Sequence, residues 1–171
     1  MGKRKKIYNF ALKGQLKKGI MSQSLSKLYV HIVFHVKSTS VQILKEDKKD
    51  LYAYIGAIIK DNGSTPISIN GTCDHLHILC IMSKNIALAK LTEEIKRHSS
   101  RWIKTRGVHY QKFAWQGGYA GFSVSQSVIE RTKKYIERQE DHHRKKTFRE
   151  ELVAFFNEYG VEYNEEYLWT D

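Results

Sequence analysis

The sequence is poor in the residues that define several protein classes. It has two cysteines and one proline among its 171 residues. Two cysteines cannot build a disulfide framework. Cys73 and Cys80 lie seven positions apart in a strand-like stretch, which predicts side chains on opposite faces of a sheet. Reduced thiols are typical of a cytoplasmic protein, so we expect that location.

Long hydrophobic runs are also missing. Stretches such as Leu28–Val36 fall well short of the roughly 18 apolar residues that span a bilayer. The first twenty residues are basic but contain no continuous apolar segment of the kind found in secretory signals. These absences exclude a membrane-spanning protein and argue against secretion.

Acidic residues are absent from residues 1–20, which hold seven of the 29 lysines and arginines and contribute much of the net charge of +11. We expect residues 1–22 to form a basic, disordered leader and residues 23–171 to form one domain. Met21 is an alternative start, which would make the leader an artefact of gene prediction. A basic protein of this kind suggests a polyanionic partner.

Hydrophobic periodicity predicts an α+β domain. The order is β-α-β-β-α-β followed by two helices, which indicates an antiparallel sheet. The expected strands are Leu28–Val36, Ile67–Asn70, His75–Met82 and Tyr119–Val124. The expected helices are Lys45–Lys60, Ile86–Lys104, one from Ser125 or Ser127 to about His142, and Phe148–Tyr159. Thr147 and Glu150 match a capping box for the last helix, and Gly160 is placed to end it.

Two histidines, His75 and His77, alternate within the third expected strand. Residues i and i+2 of a strand share a face, so both imidazoles can reach one metal ion while Leu76 enters the core. An ordinary polar sheet face is the competing interpretation. A zinc site that includes Cys73 is a further alternative, although a closed zinc site needs a fourth protein ligand.

A second motif is Tyr135-Ile136-Glu137-Arg138-Gln139. Tyr135 and Gln139 are spaced i, i+4 and would lie on one face of a helix. Beside His75 and His77, the Gln139 oxygen could be a third ligand for Mg²⁺ or Mn²⁺ engaged with a phosphate. The Tyr135 phenol could then attack that phosphate. The competing interpretation is an aromatic residue packed between helix and sheet.

Basic residues occur in two clusters around these motifs. Either cluster could be a solvated helix face, but together they favour contacts with DNA phosphates. The candidate DNA-binding residues are Lys96, Arg97, Arg101, Lys104, Arg131, Lys134 and Arg138.

The combined motifs resemble a known family. His75-Leu76-His77 resembles the His-hydrophobic-His motif of the HUH endonucleases. Tyr135 to Gln139, followed by His142-His143, resembles the tyrosine helix of the single-tyrosine transposases of the smallest bacterial insertion sequences, the IS200-like family. Trp115 to Ser125 and Phe148 to Leu152 resemble the segments that flank that helix. The likeness extends from about Leu25 to Tyr167.

The resemblance implies a ferredoxin-like sheet, similar to that of RNA-recognition motifs, with helices on one face and the catalytic helix after the core. It implies Tyr135 as nucleophile, His75, His77 and Gln139 as metal ligands, and Mg²⁺ or Mn²⁺ as cofactor. It further implies a homodimer with shared active sites. The activity would be transposition: single-stranded DNA is cut at hairpin-flanked element ends through a 5′-phosphotyrosine link and rejoined. The setting would be a bacterial or archaeal cytoplasm, at the nucleoid during action.

Two other functions are compatible with the residues. One is a domesticated nickase that uses the same chemistry on host repeat hairpins. The other is a non-catalytic nucleic-acid-binding module on a ferredoxin-like fold. Such modules usually display aromatic residues on the sheet, whereas two histidines are expected on this one.

Overall fold

The computed structural model describes residues 24–143 and 147–169, so the expected leader lies outside the described residues. Four strands form one antiparallel sheet in the order β2-β3-β1-β4. Their bounds are Leu28–His35 (β1), Thr65–Gly71 (β2), His75–Met82 (β3) and Ala120–Val124 (β4). With the helices between them, this topology confirms the expected α+β, ferredoxin-like fold.

Six α-helices accompany the sheet in the described part of the chain. They are Lys45–Asp61 (α1), Leu88–Ile103 (α2), Ile129–Glu137 (α3), Gln139–His142 (α4), Phe148–Tyr159 (α5) and Glu165–Leu168 (α6). Short 3₁₀ turns follow α2 and precede α3. No helix in these described ranges is long and apolar enough to cross a membrane.

The larger core lies between the sheet and the pair α1 and α2. Alternate residues of the central strands point into it, because successive side chains of a strand face opposite ways. Residues at helical spacing on α1 and α2 meet them. The members with no exposed surface include Ile32, Leu51, Ile55, Leu76, Ile78, Leu91 and Ile95. Cys80 belongs to this core.

The opposite face of the sheet is also covered. Helix α3 packs there through Ile129 and Ile136 against Leu79. Helix α5 packs beside it through Leu152 and Phe156. Helices α1 and α2 therefore cover one face of the ferredoxin-like sheet, and α3 and α5 cover the other. Polar side chains on that second face become buried as a result.

The expected single helix from Ser125 or Ser127 to His142 is wrong in detail. Neither serine caps a helix through its side chain, and α3 begins at Ile129. The helix is interrupted at Arg138, where φ is −101° and ψ is 19°. Asn70 of β2 donates hydrogen bonds from Nδ2 to the carbonyls of Ile136 (2.9 Å) and Glu137 (3.1 Å). These bonds satisfy carbonyls that a continuous helix would use internally.

The capping box of α5 is confirmed. The Thr147 side chain accepts a hydrogen bond from the Glu150 backbone N–H, and the Glu150 carboxylate accepts one from the Thr147 backbone N–H. Gly160 ends the helix in the left-handed conformation, with φ of 61°. The start and end of α5 are therefore set by local chemistry readable in the sequence.

Replacing Thr147 with alanine should lower the free energy of unfolding by about 1 kcal/mol, because the backbone N–H of Glu150, in the first turn of α5, loses its acceptor. Urea denaturation measures the change. Ser125→Ala is the matched control, since Ser125 makes no capping bond; its effect should stay within about 0.5 kcal/mol. Equal effects of the two substitutions would contradict the capping role.

Candidate metal and tyrosine site

The site lies on the sheet face covered by α3 and α5. The register places His35 opposite His75 and Val33 opposite His77 across β1 and β3. His31 follows the same alternation on β1. We call the surface formed by His31, His35, His75 and His77 the histidine face. His75 and His77 have no exposed surface, so the part of the sheet face that carries them is buried.

His75 is oriented by the turn that precedes β3. Its Nδ1 lies 2.7 Å from Asp74 Oδ1 and 2.8 Å from Thr72 Oγ1. Hydrogen bonds from His75 and Thr72 hold the pKa of Asp74 well below its usual range, against the effect of burial. A hydrogen on Nδ1 that is donated to this carboxylate leaves the Nε2 lone pair of His75 available as a ligand.

His77 is paired with another histidine. Its Nδ1 lies 2.9 Å from His31 Nε2 on the neighbouring strand. Its Nε2 is buried without a hydrogen-bond partner among the described residues, and the nearest acid is Glu151, with Oε2 at 3.5 Å. Burial, followed by the charge of nearby histidines, keeps the pKa of His31 and of His77 well below the usual value.

Gln139 begins α4, directly after the interruption at Arg138, and is fully buried. Its Oε1 lies 3.4 Å from His75 Nε2, and its Nε2 donates to Glu151 Oε1 at 3.0 Å. The bond to Glu151 turns the amide so that the oxygen faces the histidine. The structure thus places the Gln139 oxygen beside His75, while His77 approaches the same group through Glu151.

Two further candidate ligands, Glu151 and His143, were not predicted from the sequence. Glu151 Oε2 lies 2.9 Å from His143 Nε2 and 3.9 Å from His75 Nε2. Ligand atoms of these three residues all lie within 4.8 Å of one another. Burial raises the pKa of Glu151 to about 7, only partly opposed by His75. One feature of the sequence could have indicated Glu151: it falls on the apolar face of α5, where an acidic residue is unusual.

Cys73 is not part of this group. It precedes β3, and no cluster of three or more histidine, cysteine or acidic side chains within residues 24–143 and 147–169 includes it. The alternative of a zinc site with Cys73 therefore has no support. Burial, followed by the charge of Asp74, raises the pKa of the Cys73 thiol, which disfavours the thiolate that zinc requires.

The donor set fits a divalent cation. The compact cluster of His75, His143 and Glu151 offers imidazole nitrogens and a carboxylate oxygen, and the Gln139 amide oxygen lies beside His75. Such a mixture of nitrogen and oxygen donors suits Mg²⁺, Mn²⁺ or a similar ion. The buried His77 Nε2 supports the same conclusion, because an enclosed polar atom with no hydrogen-bond partner is costly unless a ligand satisfies it.

Tyr135 lies one turn before the interruption and is partly buried. Its ring centroid is 6.0 Å from that of His77 and 4.8 Å from that of His142. The ring lines a cavity of about 260 Å³ formed by α3, α4 and α5. The lining residues are Tyr135, His142, His143, Glu151, Ala154, Phe155 and Glu158. The tyrosine therefore borders the candidate metal ligands His143 and Glu151 and an opening toward solvent.

The basic clusters occupy different surfaces. Lys96, Arg97 and Arg101 belong to α2, and Lys104 begins the 3₁₀ turn that follows it. Arg131 and Lys134 belong to α3, and Arg138 ends it. Since α2 and α3 cover opposite faces of the sheet, the two clusters do not form one continuous surface beside the histidines.

Lys96 differs from the expectation of a solvent-facing cation. Its ammonium donates to the backbone carbonyls of Gln116 (2.8 Å), Gly117 (3.5 Å) and Gly118. It also lies 4.9 Å from the centroid of the Phe34 ring. Burial lowers the pKa of Lys96 to about 8. The side chain holds the loop that enters β4.

Replacing Lys96 with methionine should lower the free energy of unfolding by roughly 1.5–3 kcal/mol, since the loop carbonyls lose a charged donor. Urea denaturation measures the loss. Arg101→Met is the control on the exposed side of the same helix, and its effect should stay within about 0.5 kcal/mol. If Lys96→Met leaves stability unchanged, the loop does not depend on this side chain.

Comparisons with known proteins agree with this arrangement. A family profile described as "Transposase IS200 like" matches residues 24–139, a range that ends at Gln139 and contains His75, His77 and Tyr135. A comparison with curated proteins found no match.

Several solved structures share the fold, including the following two. One is a candidate transposase from Deinococcus radiodurans R1, with a TM-score of 0.54 and 20% identity over 69% of this chain and 95% of that one. The other is a REP-associated tyrosine transposase bound to a REP hairpin, with a TM-score of 0.53 and 13% identity over 72% of this chain and 74% of that one. Because the family profile spans more than half of the sequence, this protein belongs to the IS200-like transposase family.

Proposed function

We propose that this transposase cleaves and rejoins single-stranded DNA at hairpin-flanked element ends through a 5′-phosphotyrosine intermediate. The observation that carries the proposal is the convergence of Gln139 on His75, with Tyr135 beside His77, in one largely buried site. A nucleophilic side chain next to nitrogen and oxygen ligands is suited to phosphoryl transfer.

In the proposed reaction, Tyr135 Oη attacks the phosphorus of the scissile bond. The bond from oxygen to phosphorus forms, the bond from phosphorus to the 3′ oxygen breaks, and the departing 3′ oxygen takes up a proton. The phenol loses its proton to solvent or to a neighbouring base. Rejoining reverses these changes when a 3′ hydroxyl attacks the phosphotyrosine, so neither water nor a nucleotide cofactor is consumed.

His75, His77 and Gln139 would hold Mg²⁺ or Mn²⁺, with Glu151 as a further oxygen donor. When bound, the cation supplies positive charge next to the phosphate and stabilises charge that develops there. Asp74 and Glu151 orient His75 and Gln139, respectively, so the ligand atoms are aimed before substrate arrives. The aromatic side chains of α5 limit the entry of water, since Phe148 stacks on His75 and Phe155 contacts His77.

The proposed substrate is DNA with hairpins, held through its phosphates. Candidate contacts are Arg97, Arg101, Lys104, Arg131, Lys134 and Arg138, whereas Lys96 is engaged with the loop before β4. One structural relative is bound to a REP hairpin, which supports a hairpin ligand here. A domesticated enzyme acting on host repeats would use the same chemistry, and hairpin-bearing ends flanking the gene would favour the transposase.

We also propose a homodimer with shared sites that acts at the nucleoid in the cytoplasm. Within the described chain, His75, His77, Gln139 and Tyr135 all come from one copy. Tyr135 lies on α3 and Gln139 on α4, so an exchange of these two helices between copies would keep the same contacts. Mixing Tyr135→Phe chains with His77→Ala chains tests the exchange. Recovered cleavage in the mixture would support shared sites, and no recovery would mean that each chain uses its own.

The decisive experiment incubates the protein with labelled single-stranded hairpin DNA and Mg²⁺ and looks for a covalent adduct on a denaturing gel. We expect an adduct with the fragment that carries the 5′ phosphate at the cut, and none when EDTA is present. Tight hairpin binding without any adduct, in Mg²⁺ and in Mn²⁺, would instead favour a non-catalytic binding module.

A further inference from the structure

His31 is a buried histidine with no role in the reaction described above. It lies on β1, is 1% exposed, and pairs with Leu79 in the register, so His77 is its diagonal neighbour on the same face of the sheet. The two ring centroids are 5.1 Å apart and the ring planes are inclined by only 28°, so the rings meet edge to edge. His31 Nε2 lies 2.9 Å from His77 Nδ1, which is hydrogen-bond distance.

The direction of this hydrogen bond depends on what His77 does. Only one hydrogen can lie between two nitrogens at this distance, so one ring donates and the other accepts. If His77 binds a cation through Nε2, that nitrogen carries no hydrogen and the hydrogen of the neutral ring resides on Nδ1. His31 Nε2 must then be the acceptor.

We infer that His31 is a positioning residue, which holds His77 in the Nδ1-protonated tautomer and aims its Nε2 at the metal. The inference rests on the proposed function, because it assumes that His77 is a ligand. It assigns to His31 the role that Asp74 has for His75, where a carboxylate accepts the hydrogen of Nδ1.

The environment of His31 supports orientation rather than packing as its role. The Phe122 and Phe155 rings surround it, with centroids 6.2 Å and 5.4 Å away. A phenylalanine or leucine would suit such apolar surroundings, and a buried imidazole is costly there unless it is hydrogen-bonded. Its contact with His77 supplies that bond.

The two imidazole ligands would differ in the partner that accepts their Nδ1 hydrogen. His75 has a charged partner, Asp74, whereas His77 has a neutral one. A carboxylate partner raises the basicity of a ligating imidazole, and a neutral imidazole does so less. His75 would therefore be the more basic ligand and His77 the less basic one. Loss of the His31 bond should consequently weaken metal binding without removing a ligand.

Manganese affinity tests the inference in the full chain without DNA. Electron paramagnetic resonance measures free Mn²⁺ during titration of the wild-type protein, H31F and H31Q. We expect H31F to bind Mn²⁺ about 10–100-fold more weakly, because its ring cannot accept the hydrogen bond. H31Q should recover most of the affinity, since its amide oxygen can accept from Nδ1.

Two controls separate orientation from packing. Thermal unfolding without metal reports stability, and Mn²⁺ affinity should follow the presence of an acceptor at position 31 rather than the Tm. Phe122→Leu disturbs the packing around His31 but keeps its hydrogen bond to His77, so its Mn²⁺ affinity should change by less than about threefold. Equal loss of affinity in H31F and H31Q would overturn the inference.

A measurement on the unmutated protein does not depend on how the variants fold. Nitrogen-15 NMR of the ring nitrogens, with Zn²⁺ as a diamagnetic probe, should show His77 protonated at Nδ1 and bound through Nε2. Binding through Nδ1 would overturn the inference. If wild-type protein binds no Mn²⁺, the proposed metal site fails and the inference fails with it. If wild type binds and H31F binds equally well, only the inference fails.

Discussion

Tyr135→Phe should eliminate the covalent protein–DNA adduct and leave hairpin binding intact. The substitution removes only the phenolic oxygen, which is the nucleophile of the proposed reaction. Cleavage should fall by more than about a thousandfold, because nothing else in the site replaces a lost nucleophile. A denaturing gel with 5′- and 3′-labelled hairpin DNA measures the adduct, and a native gel measures binding.

Tyr159→Phe is the matched control for this prediction. Tyr159 lies on α5, its ring contacts Phe122, and it does not line the cavity beside the histidines. Its adduct yield should equal that of the wild type. An adduct that persists in Tyr135→Phe would show that a different tyrosine is the nucleophile, and peptide mapping of the adduct would identify it.

His77→Ala should reduce both Mn²⁺ affinity and adduct formation by at least about a hundredfold. The substitution removes a ligand from a site with few protein donors, and it also leaves His31 without its partner. Mn²⁺ titration and the adduct assay measure the two losses. Raising the metal concentration should recover part of the cleavage, because the remaining ligands still bind weakly.

His98→Ala is the control for the loss of one imidazole. His98 lies on α2, next to Glu94, on the opposite side of the sheet from the histidine face. Its metal affinity and adduct yield should match the wild type. Full adduct formation by His77→Ala at ordinary Mg²⁺ concentrations would remove His77 from the proposed ligand set.

Secondary structure was predicted well where it depends on local patterns. Strand β3 was expected at His75–Met82 and is observed there, and helix α1 was expected to end one residue before its observed end at Asp61. Turn residues and hydrophobic spacing determine such elements within a few residues of chain. The capping box at Thr147 is local in the same sense.

The interruption of the tyrosine helix could not be predicted in this way. Residues 129–142 contain neither proline nor glycine to mark a break. The carbonyls at the end of α3 are bound by Asn70, which is more than sixty residues away in sequence. A long-range hydrogen bond of this kind has no signal in local propensity.

The amino-acid sequence by itself determined the α+β topology, the shared face of His75 and His77, and the short separation of Tyr135 and Gln139 along the chain. These features follow from strand alternation and helical spacing, which act over short separations. Only the tertiary structure decided that α5 closes over the histidine face, that Glu151 and His143 join the site, and that His31 pairs with His77. Those contacts arise because separate elements pack on the same side of one sheet, and the side chains that meet there are far apart in the chain.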